Sequence, residues 1–96
     1  MKRTVYLAGK ISGDANYKDK FARAETELIN DGYIVLNPAS LPEGLSKGEY
    51  MQICLKMIDV ADAVVFLTDY ADSKGALLEK SYCDYIDKKV LFAPNY

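Results

Sequence analysis

"ADAVVFLT", residues 61–68, runs apolar from Ala63 to Leu67 without a polar break. A strand wet on one face would alternate. A short run that is apolar on both faces is what a central parallel strand needs when helices cover the sheet on both sides. Upstream, "RTVYLAG" (3–9) reads as a first strand ending at Gly9, and "GKISGDANY" (9–17) as a loop. "YKDKFARAETELIND" (17–31) then sets Phe21, Ala24 or Glu25, and Leu28 on helical spacing, with Gly32 as the stop. "YIVLNPAS" (33–40) is a second strand halted by Pro38, and "LPEGLSKG" (41–48) is a surface loop. A second helix is expected from about Gly48 to Val60, burying Tyr50, Met51, Cys54, Leu55 and Ile58 on one face. Downstream of the central strand come the loop and helix that begin in "DYADSKGALLEK" (69–80) and continue to about Lys88, then "KVLFAP" (89–94) as a last strand.

Strands and helices thus alternate through the chain with no repeat or linker. The expectation is one α/β domain over residues 1–96: an open parallel sheet, Rossmann- or flavodoxin-like, strand order 2-1-3-4, with flanking helices and right-handed crossovers. Ligands of such sheets sit beyond the carboxyl ends of the strands, where the strand order reverses. That places "GKISGD" (9–14) and "TDYADSKG" (68–75) facing each other across a crevice.

Composition narrows the chemistry. Ninety-six residues, half of them hydrophobic, suffice for one core. A net charge of −2 with scattered Lys and Arg offers no field for a nucleic-acid polymer. No apolar run approaches the roughly 18 residues of a membrane span, and "MKRTVYLAGKISG" (1–13) turns polar too early for a signal peptide, so a cytoplasmic protein is expected. Cys54 and Cys83 form no C-x-x-C pair, and no disulfide is expected. Histidine is absent, which removes the commonest general base and most zinc sites. "GKISG" (9–13) is neither a P-loop nor G-x-G-x-x-G. No metal or cofactor is expected.

Ser73 suits an N-cap for the last helix, and Gly75 in its first turn would let an anion approach the exposed amides. Equally, Ser73 is a cap and nothing more. Glu79 shares a stripe with Ala76, Cys83 and Ile86, which suggests an inward face; a carboxylate there must be paired, protonated or functional. The alternative is an exposed Glu79 pairing with Lys80 or Lys74. Tyr6, toward the end of the first strand, points away from Val5 and Leu7, either as a core tyrosine or as a hydrogen-bond donor to Glu79. In the first loop Lys10, Ser12 and Gly13 are candidates for contacting an anionic ligand.

Taken together, "YLAGKISG" (6–13), "VLNPA" (35–39), a helix leading into "ADAVVFL" (61–67), and "SKGALLE" (73–79) as S-x-G-x-x-x-E resemble the nucleoside 2-deoxyribosyltransferase superfamily. The resemblance is nearest to its small bacterial and phage members and to the 2'-deoxynucleoside 5'-phosphate N-hydrolases, and it spans nearly the whole chain. It implies cleavage or transfer at the N-glycosidic bond of nucleosides or nucleoside 5'-monophosphates. Glu79 would be the nucleophile and Tyr6 the residue that orients it. The resemblance also implies substrate contacts from Gly9, Ser73 and Gly75, and a homodimer or higher homo-oligomer that completes each site with a neighbouring subunit; Asn95, near the C-terminus, is a candidate to reach the partner's site. Two positions depart from the pattern. Cys54, in "MQICL" (51–55), stands where the family carries an aspartate, and Lys10 is the only cation near Ser12, where the nucleotide hydrolases carry an arginine. A nucleotide-binding module with lost or weak catalysis is therefore the alternative reading.

Overall fold

The central run forms strand β3, Ala63–Phe66, and every one of its residues is buried. A computed structural model describes residues 2–93 of the chain, so Asn95 lies outside the described residues. The elements follow in the order β1 (Thr4–Ala8), α1 (Tyr17–Asn30), β2 (Ile34–Leu36), α2 (Lys47–Val60), β3, α3 (Lys74–Tyr85) and β4 (Lys89–Phe92). The sheet is parallel throughout, in the order β2-β1-β3-β4, as expected.

Two apolar layers explain why β3 has no wet face. Val65 and Ala63 join Val5, Leu7 and the α1 residues Phe21, Ala24 and Leu28. Val64 and Phe66 join Tyr6, Ala8 and, from the other helices, Cys54, Ile58 and Cys83. Each large side chain removed from water contributes about 1.5–3 kcal/mol, so both layers are needed to hold so short a sheet. The pairing of β1 with β3 places Tyr6 beside Val64 and Ala8 beside Phe66. A slip of one residue would turn Tyr6 into the α1 layer, so this register determines which helices the tyrosine meets.

Several boundaries differ from expectation. α2 starts at Lys47 because Ser46 caps it: the Ser46 side chain accepts from the Glu49 amide and the Glu49 carboxylate accepts from the Ser46 amide. α1 closes at Gly32, whose φ of +97° lets the Gly32 amide donate to the Ile29 carbonyl and the Tyr33 amide to Leu28. The same closure ends α3 at Tyr85 rather than near Lys88. There Asp87 takes the left-handed conformation at φ 58°, and the Lys88 amide donates to the Cys83 carbonyl. Ile86 consequently leaves the inward stripe and is exposed. On α2 only Cys54 and Ile58 are fully buried, while Tyr50, Met51 and Leu55 are half-buried. No helix among the described residues is long and apolar enough to cross a membrane.

Candidate active site

Tyr6 reaches the site because β1 is central and its even-numbered residues face α2 and α3. Glu79 reaches it from the second turn of α3, on the stripe with Ala76 and Cys83, all three buried. The Tyr6 hydroxyl donates to Glu79 Oε2 at 2.7 Å, in a bond closed off from water. The expectation of an inward carboxylate meeting Tyr6 holds geometrically, and the exposed alternative does not: Lys80 pairs with Asp84 one turn on, at 2.8 Å.

Cys54 of α2 completes the group. Burial pushes Glu79 up to about 7, against hydrogen bonds from Tyr6 and Cys54 that pull it down. The Cys54 thiol is raised to about 11, chiefly by burial and also by the Glu79 charge. Tyr6 is raised above its ordinary value by burial and then by the charges of Glu79 and Cys54. At neutral pH the tyrosine and the thiol therefore keep their protons, and Glu79 is the member of the trio that changes charge. Carboxylate, phenol and thiol together can supply a nucleophile or a base with an oriented donor beside it. They offer no strong acid at neutral pH.

Ser73 caps α3 by accepting the Ala76 amide at 3.2 Å, which is the structural role foreseen for it. The amides of Lys74 and Gly75 belong to the first turn of the helix and point out of its end. A Cβ on Gly75 would lie 3.7 Å from Met51 Cε and 3.9 Å from Ser73 Oγ, ordinary contact distances, so packing does not demand a glycine here.

Residues 9 and 10, at the start of the first loop, rest against Leu67 and Asp69, so the crevice expected between 9–14 and 68–75 is closed at that end. At Gly9 an added Cβ would stand 3.0 Å from both Leu67 Cβ and Cδ1, and 3.2 Å from Asp69 Oδ1. Lys10 donates its amide to Asp69 Oδ1 at 3.1 Å. Lys20, a residue sequence reasoning did not single out, fastens the junction. Its ammonium donates to Asp14 Oδ2 at 2.6 Å, to the Lys10 carbonyl at 2.9 Å, and to Asp69 Oδ2. Burial would lower the Lys20 ammonium, but its hydrogen bonds to Asp14 and Asp69 and their charges outweigh that and raise it. No local pattern signals a partner 49 residues away, so this cluster was invisible in the sequence. Ser12 and Gly13 stand exposed on the outer turn of the loop, Gly13 at φ +81°.

The tight contact at Gly9 makes a test of this junction. Gly9→Ala is expected to lower stability by about 1–3 kcal/mol with an unchanged denaturant slope, read from equilibrium urea unfolding. Parent-like stability would mean that the two loops part at no cost.

A family model described as "Domain of unknown function (DUF4406)" matches residues 3–92. No curated protein matches the sequence. Among solved structures, the fold is similar to a 2-deoxyribosyltransferase from Bacillus psychrosaccharolyticus, described as a biocatalyst for the synthesis of antiviral and antitumoral nucleosides. The TM-score is 0.72 at 22% identity, over 93% of this chain and 70% of that one. It is also similar to a 2-deoxyribosyltransferase from Leishmania mexicana, with a TM-score of 0.74 at 17% identity, over 94% of this chain and 63% of that one. The chain thus spans less than two thirds of the Leishmania enzyme. It shares its fold with these two enzymes.

Proposed function

The chain belongs to the DUF4406 family, and from that footing we propose that it cleaves or transfers the N-glycosidic bond of deoxynucleosides or nucleoside 5'-monophosphates, with Glu79 as nucleophile. The observation that carries the proposal is the buried 2.7 Å hydrogen bond from Tyr6 to Glu79. A carboxylate oriented by one oxygen keeps the other for attack. In the proposed reaction Glu79 attacks the anomeric carbon while the bond to the base breaks, and the base leaves with the electron pair and takes a proton from solvent water. Water or a second base then attacks the resulting glycosyl ester and frees Glu79. Tyr6 holds the carboxylate in register and stabilises its charge. Gly75 and the first-turn amides of α3 would receive the 5'-phosphate, with Ser73, Gly9, Lys10, Ser12 and Gly13 around the same ligand. No metal or cofactor enters this chemistry.

The printed descriptions of the two solved enzymes support the reading at the level of deoxyribosyl transfer. A homodimer or larger homo-oligomer belongs to the same proposal, and the apolar side chains exposed on α2 and α3, Val60, Leu78 and Tyr85, are compatible with it.

One observation favours a second reading, a nucleotide-binding module with weak catalysis. Cys54 is held at about 11, too high to protonate a leaving base at neutral pH. Chromatographic detection of free base, from the protein and a Glu79→Ala variant incubated with the common deoxynucleosides and their 5'-monophosphates, separates the two. Base release by the parent alone is the expected result. No release, with nucleotide still raising the melting temperature, would select the binding module, and a gain of activity in Cys54→Asp would then identify the missing acid.

A further inference from the structure

The backbone of Lys10 is gripped at both of its polar groups. Its amide donates to Asp69 Oδ1 at 3.1 Å, and its carbonyl accepts from the Lys20 ammonium at 2.9 Å. Lys20 also donates to Asp69 Oδ2 and, at 2.6 Å, to Asp14 Oδ2. Asp14 in turn accepts the Asn16 amide on Oδ1 at 2.9 Å and the Tyr17 amide on its carbonyl at 3.3 Å, which ties the far end of the loop to the start of α1. The geometry points to Lys20 as a positioning residue for ligand binding: it holds the loop at 10–14 in one conformation, with the Lys10 ammonium presented to an anionic group of the ligand. The loop leaves β1, and Asp69 follows β3, at the carboxyl ends of the two strands between which the strand order reverses. The inference rests on the proposed reading of this loop as part of the ligand site.

The chemistry of the cluster suits this role. An ammonium has three N–H groups, and those of Lys20 go to three acceptors, so none is left over for a ligand. Its side chain is 15% exposed and those of Asp14 and Asp69 are 24% and 26% exposed, which shelters these ion pairs from much of the water and salt that weaken surface pairs. α1 gives no reason of its own for a cation near its amino end, where the helix dipole is positive. One cation against two carboxylates leaves a single negative charge, and Lys10 offsets it. The Asp14 carboxyl is lowered first by the Lys20 hydrogen bond, then by the Asn16 amide, and in smaller measure by the charges of Lys20 and Lys10. A loop tied in this way is built before a ligand arrives, so binding does not have to order it.

The test reads affinity rather than turnover. Titration calorimetry gives the Kd of the common deoxynucleosides and of their 5'-monophosphates for the parent, Lys20→Arg, Asp69→Asn, Lys10→Met, and Lys10→Met combined with Lys20→Arg. Lys20→Arg keeps the charge but replaces three donors on one nitrogen with a planar fork. It is expected to weaken monophosphate binding by about tenfold and to leave nucleoside binding unchanged. Asp69→Asn, which also serves should arginine fail to fold, is expected to act in the same direction, although loss of a negative charge by itself would tighten the binding of an anion. In the Lys10→Met background Lys20→Arg is expected to add nothing, since the contact that it positions has gone. Parent-like affinity in Lys20→Arg, or tighter monophosphate binding in Asp69→Asn, overturns the inference. Equal losses for both ligands, or additive losses in the double variant, overturn it in favour of a general loosening of the fold. A parent that binds neither ligand, or binds the two alike, overturns it as well. The expected pattern in a protein that releases no base would sustain the role of Lys20 and overturn the glycosidic reading, while base release with no preference for the monophosphate would do the reverse.

Discussion

Glu79→Gln is expected to gain stability relative to the parent as the pH rises from 5 to 8, by about 3 kcal/mol across that window, while losing base release altogether. The folded protein holds Glu79 at about 7 against an ordinary 4.5, and at about 1.4 kcal/mol per unit the difference gives that figure. The sign follows from proton counting. Between the two values the folded chain binds a proton that the unfolded chain has released, so folding loses stability as the pH rises. The contribution of Glu79 is fully present below about 4.5 and is lost as the pH passes through about 7. A glutamine has no charge to bury, so its stability curve lacks this descent. Urea unfolding of both proteins at several pH values measures it. Parallel curves would show that Glu79 ionises as an ordinary carboxyl and that its burial costs nothing.

Tyr6→Phe carries the second large effect. The hydroxyl donates to a buried carboxylate, and hydrogen bonds to charged groups are worth about 1.5–3 kcal/mol. Removing it penalises the ionised form of Glu79 and hardly alters the packing of the ring. Two results are expected. Above pH 7 the variant is less stable by about 1.5–3 kcal/mol, with a smaller loss near pH 5, where the carboxyl is neutral. The acid limb of the activity profile, which reports ionisation of the nucleophile, moves to higher pH by about 1–2 units. A uniform loss of rate with the limb unmoved would reduce Tyr6 to a packing residue.

The fold was legible in the sequence because periodicity and punctuation report burial directly. The unbroken apolar run at 63–67 read as a strand covered on both faces, and the expected strand order 2-1-3-4 is the order of the sheet. The capping box of Ser46 and Glu49 was written in S-x-x-E form and places the start of α2 one residue earlier than periodicity alone. The end of α3 was less legible. Asp87 is not the residue that usually signals a left-handed closure, so the helix reads three residues too long and Ile86 reads as buried.

The candidate site divides along the same line. Alternation in β1 and the spacing of α3 placed Tyr6 and Glu79 on inward faces, because strand and helix periods are set by the local backbone. Whether those faces met was a matter of register and helix packing: 73 residues separate the two partners of the hydrogen bond. The same holds for Lys20 with Asp69. Local chemistry, the strand order and the absence of histidine chemistry are properties of the chain itself. The proton held on Glu79 near neutrality and the closed junction at Gly9 arise when distant segments exclude water from one another, and short-range sequence patterns carry no term for that exclusion.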